Sequence, residues 1–508
     1  STGYIELYAK KLIILNSSKT PPFEINNENV DETTRLKYRY LDLRSNKMQK
    51  NLRLRHKLIL EICNYLNNKD FVHIETPILI KSTPEGARDY IVPSRVHPGE
   101  YYALPQSPQQ MKQMLMISGF EKYFQIAKCF RDEDLRADRQ PEHTQLDFEM
   151  SFVHQEDVLN NCEKLYSHLS NKFLGQDIPV PFPRIKYAES MEMYGTDKPD
   201  TRFDLKIQNL ESKLSGTEFN VFNNVLKNNG TIRGFSVPKN EKMTRKFYDN
   251  LNDFVRDNGG AGIIPVSIEK DINEIQLEDI KSPIIKFLDL ELVKDLFKFF
   301  AIGHDQVILL CAGEKNIVLE CLGKVRNKLA HEFNLIDQEK FNFLFVTDFP
   351  LFEFDNENNR WSAMHHVFSS PNQDTIEYLE NDPAKVIGNL FDLVCNGVEL
   401  GSGSIRIHER EVQEKVFSII GYDDNQVNER FGPLLESFDF GAPPHGGMGL
   451  GLDRLISTFL GEDSIRDVIS FPKTQSASDL LWGAPSIIDD EQKLELRIKN
   501  IEDEKGVK

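Results

Sequence analysis

The stretch that most narrows the fold runs from residue 123 to 149, where YFQIAKCFRDE and TQLDFE alternate apolar and polar side chains on either side of a polar loop. Alternation with a period of two marks a strand, so Arg131 and Glu133 share a face with Gln125 and Ala127, while Gln145, Asp147 and Glu149 share a face of the returning strand. The segment therefore reads as an antiparallel hairpin with one apolar face to bury and one polar face to display. On this segment alone, a solvated face laced by cross-strand ion pairs fits as well as a binding surface.

A second hairpin adds chemistry. In DLVCNGVELGSGS the pair Asn396-Gly397 signals a two-residue type I′ turn, which sets Cys395 opposite Val398 and Val394 opposite Glu399. Asp392 then falls on the face of Glu399. Two converging carboxylates repel unless they are solvated or share a cation, and a site with few oxygen ligands and room for phosphate oxygens suits Mg²⁺. Strict alternation sends Arg406 to the other face unless a bulge near Gly401 or Gly403 resets the register. In LPQSPQQMKQML, Ser107 reads as a helix N-cap, Pro108 as the first helical residue and Gln110 as the other half of a capping box. Gln109 and Lys112 share one face of that helix, and Met111, Met114 and Leu115 serve another. Together these residues offer Arg131 to a phosphate, Asp392 and Glu399 to a metal, Lys112 and Arg406 to a carboxylate, and Asp147 to an ammonium group. That set describes an amino acid beside a nucleotide.

The chain has 508 residues, enough for several domains, and carries a formal net charge of −18, which argues against a broad coating of nucleic acid or anionic membrane. Nucleic-acid contact would be local. No apolar run approaches a membrane span. Six scattered cysteines without a C-x-x-C pair fit neither a zinc site nor a disulfide scaffold, and point to a reducing compartment. GYIELYAKKLIIL, within 1–20, reads as the last strand of a preceding domain, and 21–37 as a Pro- and Asn-rich linker. Residues 38–202 and 338–508 share the charged, Gly-rich grammar, whereas 203–337 has an ordinary α+β texture. We read 203–337 as a domain inserted between the two halves of an α+β catalytic domain. Leu54, Leu58, Ile62 and Leu66 form one helical stripe of the first half, and Val158, Cys162, Leu165, Leu169 and Phe173 another.

With YRYLDLR (38–44), FVHIETPILIKSTPEGARDY (71–90), FRDEDLRADRQPEHTQLDFE (130–149), GSGSIRIH (401–408), GAPPHGGMGLGLDRL (441–455) and IRDVISFPK (465–473), the chain resembles class II aspartyl-tRNA synthetases of the bacterial and mitochondrial type along nearly its whole length. The resemblance implies an antiparallel sheet flanked by helices, a homodimer with Pro77 at its interface, and activation of L-aspartate by ATP for transfer to tRNA(Asp), with no role for DNA or membrane. It implies that Arg131 holds the α-phosphate, Glu133 the adenine side, and that Arg454 and His143 flank the adenine. Ser107, Gln109, Lys112, Asp147 and Arg406 would hold aspartate under a lid carrying Glu85 and Asp89. Asp392 and Glu399 would carry Mg²⁺, and His365 would reach the ATP region. Arg136 and Arg139 would meet the acceptor end of tRNA. Residues 203–337 would be the insertion domain of bacterial-type members, and 1–20 the last strand of an anticodon-reading barrel, so that this chain should charge tRNA poorly. LRSNKMQKNLRLR and LDFEMSFV resemble mitochondrial members most, giving the mitochondrial matrix as the expected compartment and the bacterial cytoplasm as the alternative.

Selection of aspartate is expected to rest on Lys112 and Arg406, because asparagine would leave two desolvated cations facing a neutral amide. Besides the barrel represented by its last strand, two residues depart from the family pattern. His143 stands where many members have Phe, which predicts ATP binding that changes between about pH 6 and 8. Val367 replaces the Pro that usually follows the two histidines. His365 and His366, read as neighbours in a strand, point opposite ways and make a poor joint zinc site. A catalytically silent RNA-binding paralogue, or a relative that activates asparagine, are the alternatives.

Overall fold

The computed structural model describes residues 3–83 and 86–499. In chain order its strands are β1 (Val72–His73), β2 (Ile91–Pro93), β3 (Tyr101–Ala103), β4 (Lys122–Phe130), β5 (Glu142–Ser151) and β6 (Arg184–Lys186); then β7 (Gln208–Asn209), β8 (Thr231–Pro238), β9 (Ile264–Ile268), β10 (Ile280–Lys281) and β11 (Gln306–Gly313); then β12 (Phe343–Thr347), β13 (Phe352–Asp355), β14 (Arg360–Ala363), β15 (Leu390–Cys395), β16 (Val398–Ile405) and β17 (His445–Gly451). Eight of them form one sheet in the order β1-β4-β5-β17-β16-β15-β12-β6. It is antiparallel except at its two edges, where β1 runs parallel to β4 and β6 parallel to β12. Strands from either side of the 203–337 segment meet at β5–β17 and β6–β12, so neither half closes the sheet alone.

One face of this sheet is apolar and lies under three helices, Asn46–Asn67, Gln155–Leu174 and Leu452–Leu460. Their fourfold and threefold spacings bring Leu58, Ile62 and Leu66, then Val158, Cys162, Leu165 and Leu169, then Leu452, Leu455 and Ile456, against Phe148, Phe345, Phe391 and Met448 of the strands. That burial leaves the opposite, polar face open for a site.

Residues 203–336 build a second sheet, β10-β9-β11-β8-β7, with an apolar cluster on each face. Its helix Lys315–Glu332 docks on the connection that leaves the first half of the main domain. A Cβ on Gly195 would lie 1.9 Å from the Leu319 carbonyl oxygen and one on Gly323 would lie 2.6 Å from that of Gly195, so the two backbones touch where only glycine fits. Arg326, wholly buried beside them, donates to the carbonyls of Asp200 (2.6 Å), Phe203 (3.2 Å) and Leu205 (3.2 Å) and lies over the rings of Tyr194 and Phe203.

Two expectations at the start of the chain change. Residues 3–20 form no strand, and Ile5, Leu7, Leu12 and Ile14 are exposed, because among the described residues no strand lies beside them to complete a hydrogen-bond ladder. The stretch read as a linker to residue 37 already turns helical at Glu32–Lys37, where the Asp31 side chain accepts from the Thr34 backbone as an N-cap. All six cysteines are free, and no helix among the described residues is long and apolar enough to cross a membrane.

Candidate functional site

The β4–β5 register sets Gln125 opposite Asp147, Ala127 opposite Gln145 and Tyr123 opposite Glu149, all on the polar face. On the other side of β5, Gly447, Gly449 and Gly451 of β17 sit opposite Glu149, Asp147 and Gln145. These glycines leave room for the acids: a Cβ on Gly447 would lie 2.3 Å from a Glu149 carboxylate oxygen and 2.0 Å from the Phe148 carbonyl oxygen. In the next hairpin Asn396 and Gly397 both have positive φ, as the tight turn requires, and Val394 faces Glu399. The register then shifts, with Leu393 opposite Gly401, so Leu400 is the extra residue of a bulge. Beyond it Asp392 faces Ser402, and the parity is reset so that Ser404 and Arg406 follow on the site face.

That reset brings four charges together below the surface. Lys112, Asp147, Glu149 and Arg406 are exposed by 2%, 1%, 0% and 1%. Lys112 Nζ reaches Asp147 Oδ1 at 2.7 Å and Glu149 Oε2 at 3.2 Å. Glu149 also receives a two-pronged pair from Arg406, Nε to Oε1 at 2.8 Å and Nη2 to Oε2 at 3.1 Å. The remaining Arg406 donors go to Ser404 Oγ (2.5 Å), His366 Nε2 (2.6 Å) and the Gly447 carbonyl (3.1 Å). Burial alone would raise the pKa of both acids. For Glu149 the two cations win and hold it down at about 2; for Asp147 burial wins and it lies above the usual carboxylate range. The difference follows from the bonding, since Asp147 has one ion pair, to Lys112, against the two of Glu149, and its Oδ2 has no hydrogen-bond partner among the described residues.

Above this cluster opens a cavity of about 1070 Å³ lined by Ser107, Gln109, Arg131, His365, His366, Asp392, Glu399 and Ser402, with Asp197. Arg131 has no side-chain hydrogen bond or ion pair among the described residues. Asp392 is buried, its Oδ1 has no hydrogen-bond partner among the described residues, and burial with the nearby charges of Glu399 and Asp197 pushes its pKa well up. Arg454 donates to the Glu399 carbonyl (3.0 Å) and to Asp138 (3.2 Å). In the loop between β4 and β5, Arg139 pairs with Glu133 at 2.8 Å, and Arg136 lies exposed 3.7 Å from Asp138. Pro77 is exposed at the sheet edge and lines a smaller cavity with His73, Gln125 and Lys128.

Several expectations are corrected. The helix begins at Gln109 with Pro108 in the cap position, one residue later than predicted; Pro108, not Ser107, accepts the first helical bond, from Lys112. Lys112 and Arg406 are not a bare cationic pair, because Asp147 and Glu149 already neutralise them. His143 does not titrate near neutrality: burial, Arg131 and Arg454 push it down to about 3, so it is neutral between pH 6 and 8. His365 and His366 lie in a bend rather than a strand, and both face the cavity. His365 bonds Ser402 Oγ at 3.1 Å and sits 3.8 Å from Asp392, whereas His366 caps Arg406. Asp89 accepts from Ser82 (2.8 Å) and Gln106 (2.6 Å) and does not line the cavity. Glu85 lies outside the described residues. Among the residues that the sequence did not single out are Glu149, Asp197 and Ser402; Glu149 had its signal in the alternation of TQLDFE, but nothing local marked it as the hub.

Comparison with known proteins decides the family. Residues 31–475 match the family described as tRNA synthetases class II (D, K and N). The chain belongs to this family. It is 50% identical over 500 residues to the aspartate--tRNA(Asp/Asn) ligase of Thermoanaerobacter sp. (strain X514), covering 98% of this chain and 83% of that one. It is 48% identical over 503 residues to the ligase of the same name from Dehalococcoides mccartyi (strain CBDB1), covering 98% and 84%. Identity is also 48%, over 506 residues, to the aspartate--tRNA ligase of Staphylococcus saprophyticus subsp. saprophyticus, covering 98% and 85%. Among solved structures, asparaginyl-tRNA synthetase from Pyrococcus horikoshii complexed with asparaginyl-adenylate superposes with a TM-score of 0.52 at 18% identity, over 91% of this chain and 77% of that one. That likeness bears on the class II synthetase fold alone, the antiparallel sheet with its flanking helices.

Proposed function

We propose that the chain is an aspartate--tRNA ligase that activates L-aspartate with ATP and transfers it to tRNA(Asp). Identity near one half to ligases of that name, along nearly the whole chain, supports the activity. The observation that carries the substrate is the Asp147–Lys112 pair beside Glu149 and Arg406. Asp147 is the weakly held member, with one buried oxygen unpartnered. An α-ammonium group arriving at Asp147 releases Lys112, and Lys112 then takes the side-chain carboxylate of the same ligand. Aspartate supplies both charges. Asparagine supplies only the first, so Lys112 keeps only Glu149, which already pairs with Arg406, and two buried cations are left sharing one carboxylate, which disfavours asparagine.

The chemistry needs no protein base in its first step. The α-carboxylate oxygen of aspartate attacks the α-phosphorus of ATP, the bond to the leaving oxygen breaks and pyrophosphate departs with the electron pair. Arg131, unpaired in the cavity wall, neutralises the phosphate, and His143 offers a neutral planar ring between Arg131 and Arg454. In the second step the terminal ribose hydroxyl of tRNA attacks the acyl carbon and AMP leaves. Asp392 and Glu399 fit a Mg²⁺ ion: an orphaned buried carboxylate oxygen and mutual repulsion are relieved by a divalent cation that takes its other ligands from water and phosphate. Bound there, the ion supplies charge neutralisation for the phosphates. A homodimer across the β1 edge is supported by Val72, Ile78 and Leu79, exposed by 46%, 48% and 52% on either side of Pro77.

ATP–pyrophosphate exchange tests the activation step. Exchange should be driven by aspartate and not by asparagine or lysine, and Arg131→Ala should abolish it; exchange driven by asparagine would overturn the assignment. The relatives include ligases named aspartate--tRNA(Asp/Asn) ligase and one named aspartate--tRNA ligase, so transcripts of tRNA(Asp) and tRNA(Asn) belong side by side in the transfer assay.

A further inference from the structure

One buried imidazole has no part in the chemistry so far. His445 opens β17, is wholly buried, and its backbone carbonyl accepts from the Arg406 N–H at 2.9 Å. Its ring lies between two partners: Nδ1 is 2.7 Å from the Pro443 carbonyl oxygen, and Nε2 is 3.2 Å from Gln113 Nε2. A carbonyl oxygen only accepts, so Nδ1 carries the proton. Burial holds the ring's pKa below its ordinary value, which leaves Nε2 a bare acceptor. The Gln113 amide therefore turns its nitrogen to His445 and its oxygen the other way, where it accepts from Gln109 Nε2 at 3.1 Å. Gln113 is wholly buried as well, and Gln109 lines the cavity. At the closed end of the series, Pro444 restricts the backbone of Pro443 and so fixes the carbonyl from which the series starts.

Each bond in this series has a direction, and reversing one reverses the rest. With a pure acceptor at the closed end, the amide at the open end has one orientation: its nitrogen is spent on Gln113, and its oxygen is the atom left for the cavity. Gln109 lies one turn from Lys112 on the same helix, and Lys112 reaches Asp147 at 2.7 Å. An ammonium group arriving at Asp147 brings three N–H donors and needs further acceptors; a reversed amide would meet it with donors instead. We infer that His445 and Gln113 are positioning residues for the amino acid, a directed relay that holds the Gln109 oxygen as a second acceptor for its α-ammonium group alongside Asp147. This rests on the proposed function, which is what brings such a group to Asp147.

ATP–pyrophosphate exchange with the full chain gives the KM for aspartate and for ATP, and the inhibition by succinate, which is aspartate without its ammonium group. His445→Phe and Gln113→Met should raise the KM for aspartate about tenfold or more, the effect of losing a hydrogen bond to a charged group, while the KM for ATP and the succinate inhibition constant stay within about twofold. His445→Gln, whose side-chain oxygen can accept where Nε2 does, should restore most of the aspartate affinity. In a Gln109→Met background His445→Phe should add nothing, because it acts through the missing amide. Nitrogen NMR spectra of protein carrying isotope-labelled histidine should show that the ring whose signals His445→Phe removes has its proton on Nδ1 and a bare Nε2. Equal losses for aspartate and succinate, a raised KM for ATP, additive effects in the double variant, no loss at all, or a proton on Nε2 would overturn the inference. If the wild-type chain shows no exchange, the functional reading fails, and the tautomer alone then judges the relay.

Discussion

Glu149 is the residue on which the buried charges turn, since it alone bonds both Lys112 and Arg406. Replacing it with Gln keeps the shape and removes the charge, leaving two buried cations with one weakly held carboxylate. Glu149→Gln should lower stability by about 3–5 kcal/mol in urea unfolding and reduce kcat/KM for aspartate at least tenfold. An unchanged midpoint with normal exchange would show that Asp147 suffices. His143 supplies the pH prediction. Its folded value, lowered to about 3 from the ordinary 6.5, means that the folded protein resists the proton that the unfolded chain accepts. The stability it contributes is therefore full above about pH 6.5 and is lost as pH falls towards 3. Across pH 6 to 8 the ring stays neutral, so the KM for ATP should show no inflection from this group, and His143→Phe should leave that profile unchanged; an inflection abolished by the Phe substitution would contradict this. The resemblance set His143 and Arg454 on either side of the adenine, but it could not reveal the field at the ring, which combines Arg131 of the same hairpin with Arg454 from a segment about three hundred residues on.

At the scale of elements, the site depends on where strands lack side chains. Gly447→Ala would press a methyl against Glu149 and the Phe148 carbonyl, so β17 would have to move from β5; stability should fall by about 1–3 kcal/mol and exchange should be largely lost. Near-normal exchange in this variant would mean that the acids can shift without cost. The two hairpins were legible in sequence because period-two alternation and an Asn-Gly turn determine register locally. The bulge was legible as a condition only: Gly401 and Gly403 permitted a reset that would bring Arg406 to the site face, and the extra residue is Leu400, next to Gly401. The starting strand failed because an apolar alternating segment becomes a strand only beside a partner. His365 and His366 were misread because a bend, unlike a strand, imposes no alternation.

At the scale of the whole molecule, the chain crosses between the two sheets twice, and the Gly195–Gly323 contact with Arg326 locks the first crossing. Gly323→Ala should separate thermal unfolding into two transitions, or lower the single one, by loosening the second sheet from the first; an unchanged melting curve would show that this contact is dispensable. The texture change at 203 and 337 made the segment visible in sequence, whereas its docking needed the coordinates, because the two glycines lie in unremarkable local contexts. The central claim, that this cavity activates aspartate and refuses asparagine, is tested most directly by incubating the protein with ATP, Mg²⁺ and an equimolar mixture of the two amino acids and identifying the bound adenylate by mass spectrometry. The account predicts aspartyl-adenylate alone; asparaginyl-adenylate at a comparable level would contradict it.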